Sequence, residues 1–511
     1  MLRAVPFDPT TILDIVASHY KEKTGKEVPH PLRTRSRCAG KRQLAAIIKH
    51  VASLDCRVIV IEDPYVDRDF LEDFSAYYGK AYRHYPRYCR RLHFFSHPVT
   101  EATFQDFLDK DEPTTADVLQ SGYLGFTVLR PLPGTFIGRT CLRPGNDGAN
   151  RFHSAFMRPY EVNLAGRQFR VDALAFQEQD RTVAACATSA VWTALHKAGL
   201  TFGVKVPTPS EITHLAMRDG PRRALPSDGL TVPEISHAIR RSGLEVEIRD
   251  RVLDLKALAH GYGQFGIPII LGLDLFQEHG NSNRRLGMHA VTVTGFATTD
   301  KGPAGESFSD RITGFYFHDD QAGPYCHGAL TLRHEKHAET GEDLAFWVLD
   351  TDFPTARGKV VGVVQTVIIP VDDMIRIQYE DAERMAAAFR HVLLPVVPAG
   401  MFEWEIRLCN VNEARSVIGR KIPGPHRARF LQRNLPRFMW RVTARHQGQP
   451  TLDLVLDGTD IRRAFFVTDL IIYDAALREA VAKYIAVAEN RKTIEDTSEW
   501  GADWLATLEK A

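Results

Sequence analysis

The sequence has little cysteine, no excess of charge of either sign and no long apolar run. Seven cysteines are spread over 511 residues, at positions 38, 56, 89, 141, 186, 326 and 409, and no two of them form a CxxC pair. That spacing withdraws support from zinc ribbons and thioredoxin-type centres. A chain of this length needs no disulfide framework, and an odd count leaves one thiol unpaired. The plain expectation is reduced thiols that serve as small core residues. The open question is whether one of them is a nucleophile. Lysine plus arginine is 64 and aspartate plus glutamate is 63, a net charge of +1. This excludes a surface that as a whole attracts nucleic acid or membrane, and leaves room for local basic patches. The longest strongly apolar runs, such as residues 267–273 (IPIILGL), have the length of a strand, well short of the ~20 residues of a membrane helix. Pro6, Asp8 and Pro9 interrupt the first residues where a signal peptide keeps its apolar core. A soluble, cytoplasmic chain is expected. No Walker-type loop and no GxGxxG opening a helix occur, so nucleotide chemistry has no support and no cofactor is expected. There is no repeat of solenoid length and no low-complexity tract.

What is present divides into three stretches. Residues 1–160 read as an α/β unit: Leu44, Ile47, Ile48 and Val51 fall on one helical face, and the segment CRVIVIEDPY that follows reads as a buried strand. Further strands are expected at 92–95 and on either side of the turn at Pro131, Pro133 and Gly134. In the unit expected at 161–370, YEVNL (residues 160–164) and QFRVDALAF suggest a hairpin about Ala165-Gly166. Helices are expected after Cys186 and near 209–217 and 231–241, with strands near 244–249, 267–273, 288–296 and 313–318. Residues 371–511 read as an α+β unit with a helical stripe from Ile375 to Phe389, a strand from Phe402 to Leu408, two more strands and a closing helix at 475–489. The linkers are expected at 142–150 and 393–400, with a loop at 299–310.

The middle stretch carries the chemistry-bearing residues. Cys186 precedes a helical apolar face formed by Ala187, Ala190, Val191, Ala194 and Leu195, so it should sit at a helix N-terminus. There the unpaired amide groups and the helix dipole stabilise a thiolate. A small packing cysteine is the bland alternative. His289 opens a regularly alternating strand (HAVTVTGF) and is able to reach that helix end as general base and acid; a structural strand histidine is its bland counterpart. Asp319 and Asp320 leave the strand GFYFHDD into a turn, where one of them could fix the imidazole tautomer. Asp319 is preferred because Gly323 then keeps a D-x-x-x-G offset, with Asp320 the alternative acid. Gln179, upstream of the cysteine, could donate to an oxyanion together with the Cys186 backbone N–H.

This order of Gln179, Cys186 on a helix, His289 on a strand and an acid after the next strand resembles the papain-like cysteine peptidases. It is most similar to the bacterial double-glycine, bacteriocin-processing group. The segment GLTVPEISHAIRRSGLEVEI and the pair GIPIILGL and HAVTVTGF carry the rest of the likeness, which spans about residues 177–325. The resemblance implies an α+β fold, with a helix bundle bearing the cysteine packed on an antiparallel sheet bearing histidine and acid. It implies Cys186 as nucleophile, His289 as base and acid, Asp319 as orienter and Gln179 as oxyanion donor, acting on a peptide or isopeptide bond through a thioester. The residues after Cys186 (Ala187-Thr188-Ser189) and the Asp319-Asp320 pair depart from the group's pattern. The stretch 274–287 reads as an insertion suited to substrate binding or gating.

Two further readings stay open. The same thioester could pass to an amine, as in transglutaminase-like acyl transfer. Alternatively, the chain is a scaffold that binds a protein partner, or less readily nucleic acid, through residues 77–95 (YYGKAYRHYPRYCRRLHFF), where arginines alternate with tyrosines. A second basic stretch runs from Arg415 to Arg441. Solvated or snorkelling arginines explain both without a partner. Cys326, His327, His334 and His337 match no common zinc spacing, so no metal is expected.

Overall fold

The computed structural model describes residues 2–511 except 25–40, 99, 101, 103–105, 107–108, 110–112, 133, 146–150, 181–184, 218–228, 280–281, 300–306, 337–342, 356–357, 399, 423 and 463. Cys38, His337 and parts of the segments expected as linkers therefore lie outside the described residues. The chain is a mixture of helix and antiparallel sheet, an α+β architecture. It divides into two compact units. The first holds residues 2–253, 266–297 and 314–370; the second holds 254–265, 298–313 and 371–511.

In the first unit, the strands Leu2–Pro6, Val58–Tyr65, Cys89–Phe95, Tyr123–Leu129 and Ile137–Leu142 pair antiparallel in chain order. Both faces of this sheet are covered, which is why its strands read as continuous apolar runs. Side chains alternate across a strand. Ile59 and Ile61 therefore join the helical residues Ile12, Val16, Leu44, Ile47 and Val51 on one face. Val58 and Val60 face the other way, into a cluster with Val162, Phe169, Ala190 and Val191. Residues 1–160 and most of 161–370, separate stretches in the sequence, thus share one unit and one core. The hairpin Arg158–Leu164 and Arg167–Ala173 forms as its pattern predicts. Ala165 and Gly166 both take positive φ, at 50° and 79°, as a two-residue hairpin turn requires.

Six strands, Ile270–His279, Ser282–Thr298, Ile312–Asp319, Gly323–Lys336, Asp343–Thr355 and Gly358–Val371, pair in chain order, and the last returns to the first. They close into a barrel, with Glu245–Asp250 and Arg151–Phe152 added at its flanks. The stretch 274–287, expected as an insertion loop, is instead a continuation of two barrel strands. Phe276 pairs with Arg285 and Gln277 with Arg284. Its polar sequence conceals the pairing: residues 274–278 are half-buried and 283–286 exposed, so no fully buried face imposes a period of two.

In the second unit, Glu403–Asn410, Phe438–His446, Gln449–Asp457 and Val467–Ile472 form an antiparallel sheet in chain order. Trp440 is fully buried, donates from Nε1 to Ile377 O at 2.8 Å, and packs edge-on against Tyr262 and Tyr379. The helix Leu255–Gly263 and the segment 298–313 belong here although their neighbours in sequence do not. The closing helix expected at 475–489 ends at Ala486, where Val487 is extended, and a new helix runs over Ala488–Thr497.

Among the described residues no helix is long and apolar enough to cross a membrane.

Candidate active site

Cys186 is the first residue of the helix Cys186–Phe202. Ala185 is extended (φ −91°, ψ 177°), and its carbonyl accepts the first helical bond, from Ser189 N at 3.1 Å. Ala185 offers no side-chain cap for this end. The amide groups that a serine or aspartate cap would occupy are thus left for an anion at the first turn. The helix is buried on nearly every side from Ala187 to Gly199. Its alanines Ala187, Ala190, Ala194 and Ala198 share a cluster with Ile270, Ala290 and Ile368 of the barrel. Small side chains let the helix lie close to the sheet, and Thr292 Oγ1 donates to Ala190 O at 2.8 Å. That bond ties the cysteine helix to the strand of His289, three residues from the histidine.

His289 is 3% exposed and stands opposite Leu273 in the barrel. Its Nε2 lies 3.1 Å from Asp319 Oδ2 and 3.7 Å from Asp320 Oδ1. With Nε2 engaged by carboxylates, Nδ1 is the nitrogen left over, and it makes no hydrogen bond. The Cys186 side chain is the ring's other polar neighbour. Burial opposes charge on this imidazole. The Asp319 carboxylate, its hydrogen bond, the Cys186 side chain and Asp320 outweigh that and hold the ring well above the usual histidine value. Three other buried histidines go the opposite way. Burial pushes His93 down to about 4 and His318 down to about 3, and burial with Arg139 and Arg158 nearby keeps His196 well below the ordinary value. A buried histidine is normally neutral; His93 stays so even beside Glu62, with Arg91 opposing its charge, whereas His289 meets two acids and no arginine among the causes of its shift.

Asp319 is fully buried, and both its oxygens are in use. Oδ2 faces His289, while Oδ1 accepts the backbone N–H groups of Gln321 at 2.8 Å and Ala322 at 3.2 Å. Gly323 closes the turn at φ 145° and pairs with Asp319. A Cβ there would meet the Ala46 Cβ at 2.4 Å, so only glycine fits. Gln43 Nε2 donates to Asp320 O at 2.9 Å. The acid turn is thus held against the helix Arg42–Ser53, a support that no motif announces. Asp320 differs from Asp319. It is 4% exposed, neither carboxylate oxygen has a hydrogen-bond partner, and burial with the neighbouring Asp319 pushes its carboxyl up to about 7.

Gln179 is half-buried in the wall of a cleft of about 730 Å³. Lys41, Gln43, Tyr78, Arg83, Tyr85 and Gln321 line it too. The sequence singled out Gln179 but not Lys41 or Gln321, which carry no motif. Lys41 is paired with Glu178, and Tyr78 donates to Asp180 Oδ2 at 2.7 Å. The structure brings Cys186, His289, Asp319 and Asp320 together, and puts Gln179 on a cleft that also reaches Gln321, beside the acid pair.

The other residues singled out fall elsewhere. Cys326 is half-buried and donates to Gly323 O at 3.3 Å; burial and nearby Asp319 push its thiol well up. Cys56, Cys141 and Cys409 are buried, with thiols pushed up to about 12 mainly by burial. Cys326, His327 and His334 lie along one strand. Among the described residues, the one group of three metal-ligating side chains is His289, Asp319 and Asp320. The arginine–tyrosine stretch is not one surface. Arg90 and Arg91 are buried and paired with Asp63 at 2.6 Å and Glu62 at 2.8 Å, and Cys89–Phe95 is a fully buried strand. Arg83 and Arg87 remain exposed. In the second basic stretch Arg441 is buried against Asp453 at 2.9 Å.

Neither a protein-family model nor a curated protein matches this chain.

Proposed function

We propose that this chain is a papain-like cysteine hydrolase that cleaves a peptide or isopeptide bond through a thioester on Cys186. The observation that carries the reading is the position of His289, with Asp319 on Nε2 and the Cys186 side chain as its remaining neighbour. Asp319 fixes the proton on Nε2 of the neutral ring, which leaves Nδ1 as acceptor for the thiol proton. The imidazolium so formed is stabilised by the same carboxylate and faces a thiolate at a helix N-terminus. The thiolate attacks the carbonyl, and the tetrahedral oxyanion meets first-turn amide groups and the Gln179 amide. His289 then protonates the leaving amine, and water, deprotonated by the same ring, releases the acyl group. Asp319 is the orienting acid, since its second oxygen is fixed by two backbone N–H groups while Asp320 lacks any such anchor. The described cysteines are all free thiols, which suits a reducing, cytoplasmic setting.

A thiol-directed electrophile should modify Cys186, and Cys186→Ala should abolish that labelling. Undiminished labelling of the variant would remove Cys186 as nucleophile. Adding a primary amine and analysing the products separates hydrolysis from transglutaminase-like transfer. A scaffold role is distinguished by a Cys186→Ala protein that retains full biological activity.

A further inference from the structure

Asp320 is not the orienting acid, yet its carboxylate is buried beside the same histidine. Neither Asp320 oxygen makes a hydrogen bond, and the nearest cationic group is His289 Nε2 at 3.7 Å; buried charges are ordinarily both paired and hydrogen-bonded, or bound to metal. Its Oδ1 points at the same nitrogen that Asp319 engages, 3.7 Å from His289 Nε2, while Asp319 Oδ2 is 3.1 Å from it. One ligand atom from each of the three residues lies within 4.8 Å of the other two. A tetrahedral zinc ion with bonds of 2.0–2.2 Å to nitrogen and oxygen sets its ligand atoms roughly 3.3–3.6 Å apart. The two spacings to Nε2 bracket that range. Gln321, the next residue, lines the 730 Å³ cleft, so solvent comes within one residue of the set.

We propose that His289, Asp319 and Asp320 form a site for a divalent cation of the zinc type, and that the bound cation switches the thiol centre off. The first part stands on the geometry alone; the second rests on Cys186 being the nucleophile. A neutral imidazole has one N–H and one lone pair. When Nε2 gives its lone pair to a cation, the proton must sit on Nδ1, the nitrogen left for Cys186. The ring then donates toward the sulfur and no longer accepts the thiol proton. On a neutral ring the Nε2 proton moves to Nδ1 as the cation loads; an imidazolium loses its Nε2 proton to solvent and keeps the one on Nδ1. A neutral Asp320 also releases its proton to solvent. Two carboxylates then balance the dication, and the orphan oxygen of Asp320 gains its partner. Hard oxygen with imidazole suits zinc or its first-row neighbours better than a thiolate-seeking ion.

The test uses the full chain, stripped with a chelator and titrated with Zn²⁺ against a chromophoric competitor, with Co²⁺ as optical reporter. Wild type should bind one equivalent, and the cobalt form should show d–d bands without an intense sulfur-to-metal band. Cys186→Ala should bind with unchanged affinity, and Asp320→Asn at least ~10-fold more weakly, ligand loss costing no less than the 10–100-fold typical of outer-shell partners. Asp320→Ser, with circular dichroism on both variants, guards against misfolding as the cause. Absence of binding at micromolar Zn²⁺ would overturn the site, as would full affinity in both Asp320 variants or a sulfur band lost in Cys186→Ala. Saturating Zn²⁺ should slow electrophile labelling of Cys186 in wild type at least ~10-fold, reversibly with chelator, and leave Asp320→Asn unaffected. Binding without that slowing would overturn the switch and leave the site standing. A Cys186 that never labels would overturn the hydrolase reading, while the binding titration still decides the site.

Discussion

In each compact unit a buried histidine lies against a carboxylate at nearly the same distance, His289 against Asp319 and His260 against Glu405. In the first unit His289 Nε2 is 3.1 Å from Asp319. In the second, His260 Nε2 is 3.0 Å from Glu405. What differs is the rest of the surroundings. Glu405 is shared with Arg445 at 2.7 Å, and the His260 ring packs on Phe308. His289 has instead a half-exposed thiol at a helix start where Ala185 offers no side-chain cap, and a second acid that makes no hydrogen bond. A histidine–acid pair is therefore a structural tie or a reactive centre according to what meets the second ring nitrogen. The pair alone does not identify a site.

The largest contrast should come from removing each ring. His289→Ala should lower turnover and Cys186 alkylation by about 10²–10⁴-fold, the usual worth of a positioned general base. His260→Ala should leave the alkylation rate unchanged and cost about 3 kcal/mol of stability, as when one partner of a buried pair is lost. Chemical denaturation and labelling on both variants check this; equal rate losses would erase the distinction.

Acid should separate the two pairs next. Burial opposes charge on Glu405, but His260 and Arg445 hold its carboxyl well below the ordinary 4.5. A depressed acid contributes stability that is present above its unfolded value and lost as pH falls toward the folded one. The raised His289 contributes below 6.5 and loses its contribution only as pH rises through its raised value. Glu405→Gln should thus flatten the fall in melting temperature below about pH 4.5, whereas Asp319→Asn, which removes the charge that raises His289, should change the alkaline side. Melting curves across pH read this directly.

Smaller effects probe how the first pair is held. Gly323→Ala places a side chain at φ 145° against Ala46 and should cost about 1–3 kcal/mol. It should also slow alkylation, because Asp319 loses its turn. Thr292→Val removes a bond from the His289 strand to the Cys186 helix and should cost about 1 kcal/mol, with the smallest rate loss of the set. Denaturant midpoints and labelling rates measure both.

The elements around the site were largely legible in sequence because each shows one clear period. The hairpin about Ala165-Gly166, the helix beginning at Cys186 and the helix Val232–Arg241 carry regular stripes or turn residues. The candidate residues were legible through order and type alone. What stayed hidden depends on contacts between distant segments. Nothing in Gln43 or Ala46 announces that they brace the acid turn. Nothing in 254–265 announces that this helix packs with residues beyond 371. The polar ribbon 274–287 lacked alternation because its described residues form no fully buried face, and the choice between Asp319 and Asp320 needed the two backbone donors that anchor only one of them.

The central claim is that His289 activates Cys186, and mass-spectrometric mapping of alkylation in the folded chain tests it most directly. The account predicts Cys186 modified at least ~10-fold faster than Cys326, the other half-buried thiol, because a thiolate beside a held cation reacts faster than a thiol raised by burial. It also predicts that His289→Ala abolishes the difference. Equal rates at the two cysteines in the wild-type protein, or an unchanged Cys186 rate without His289, would contradict it.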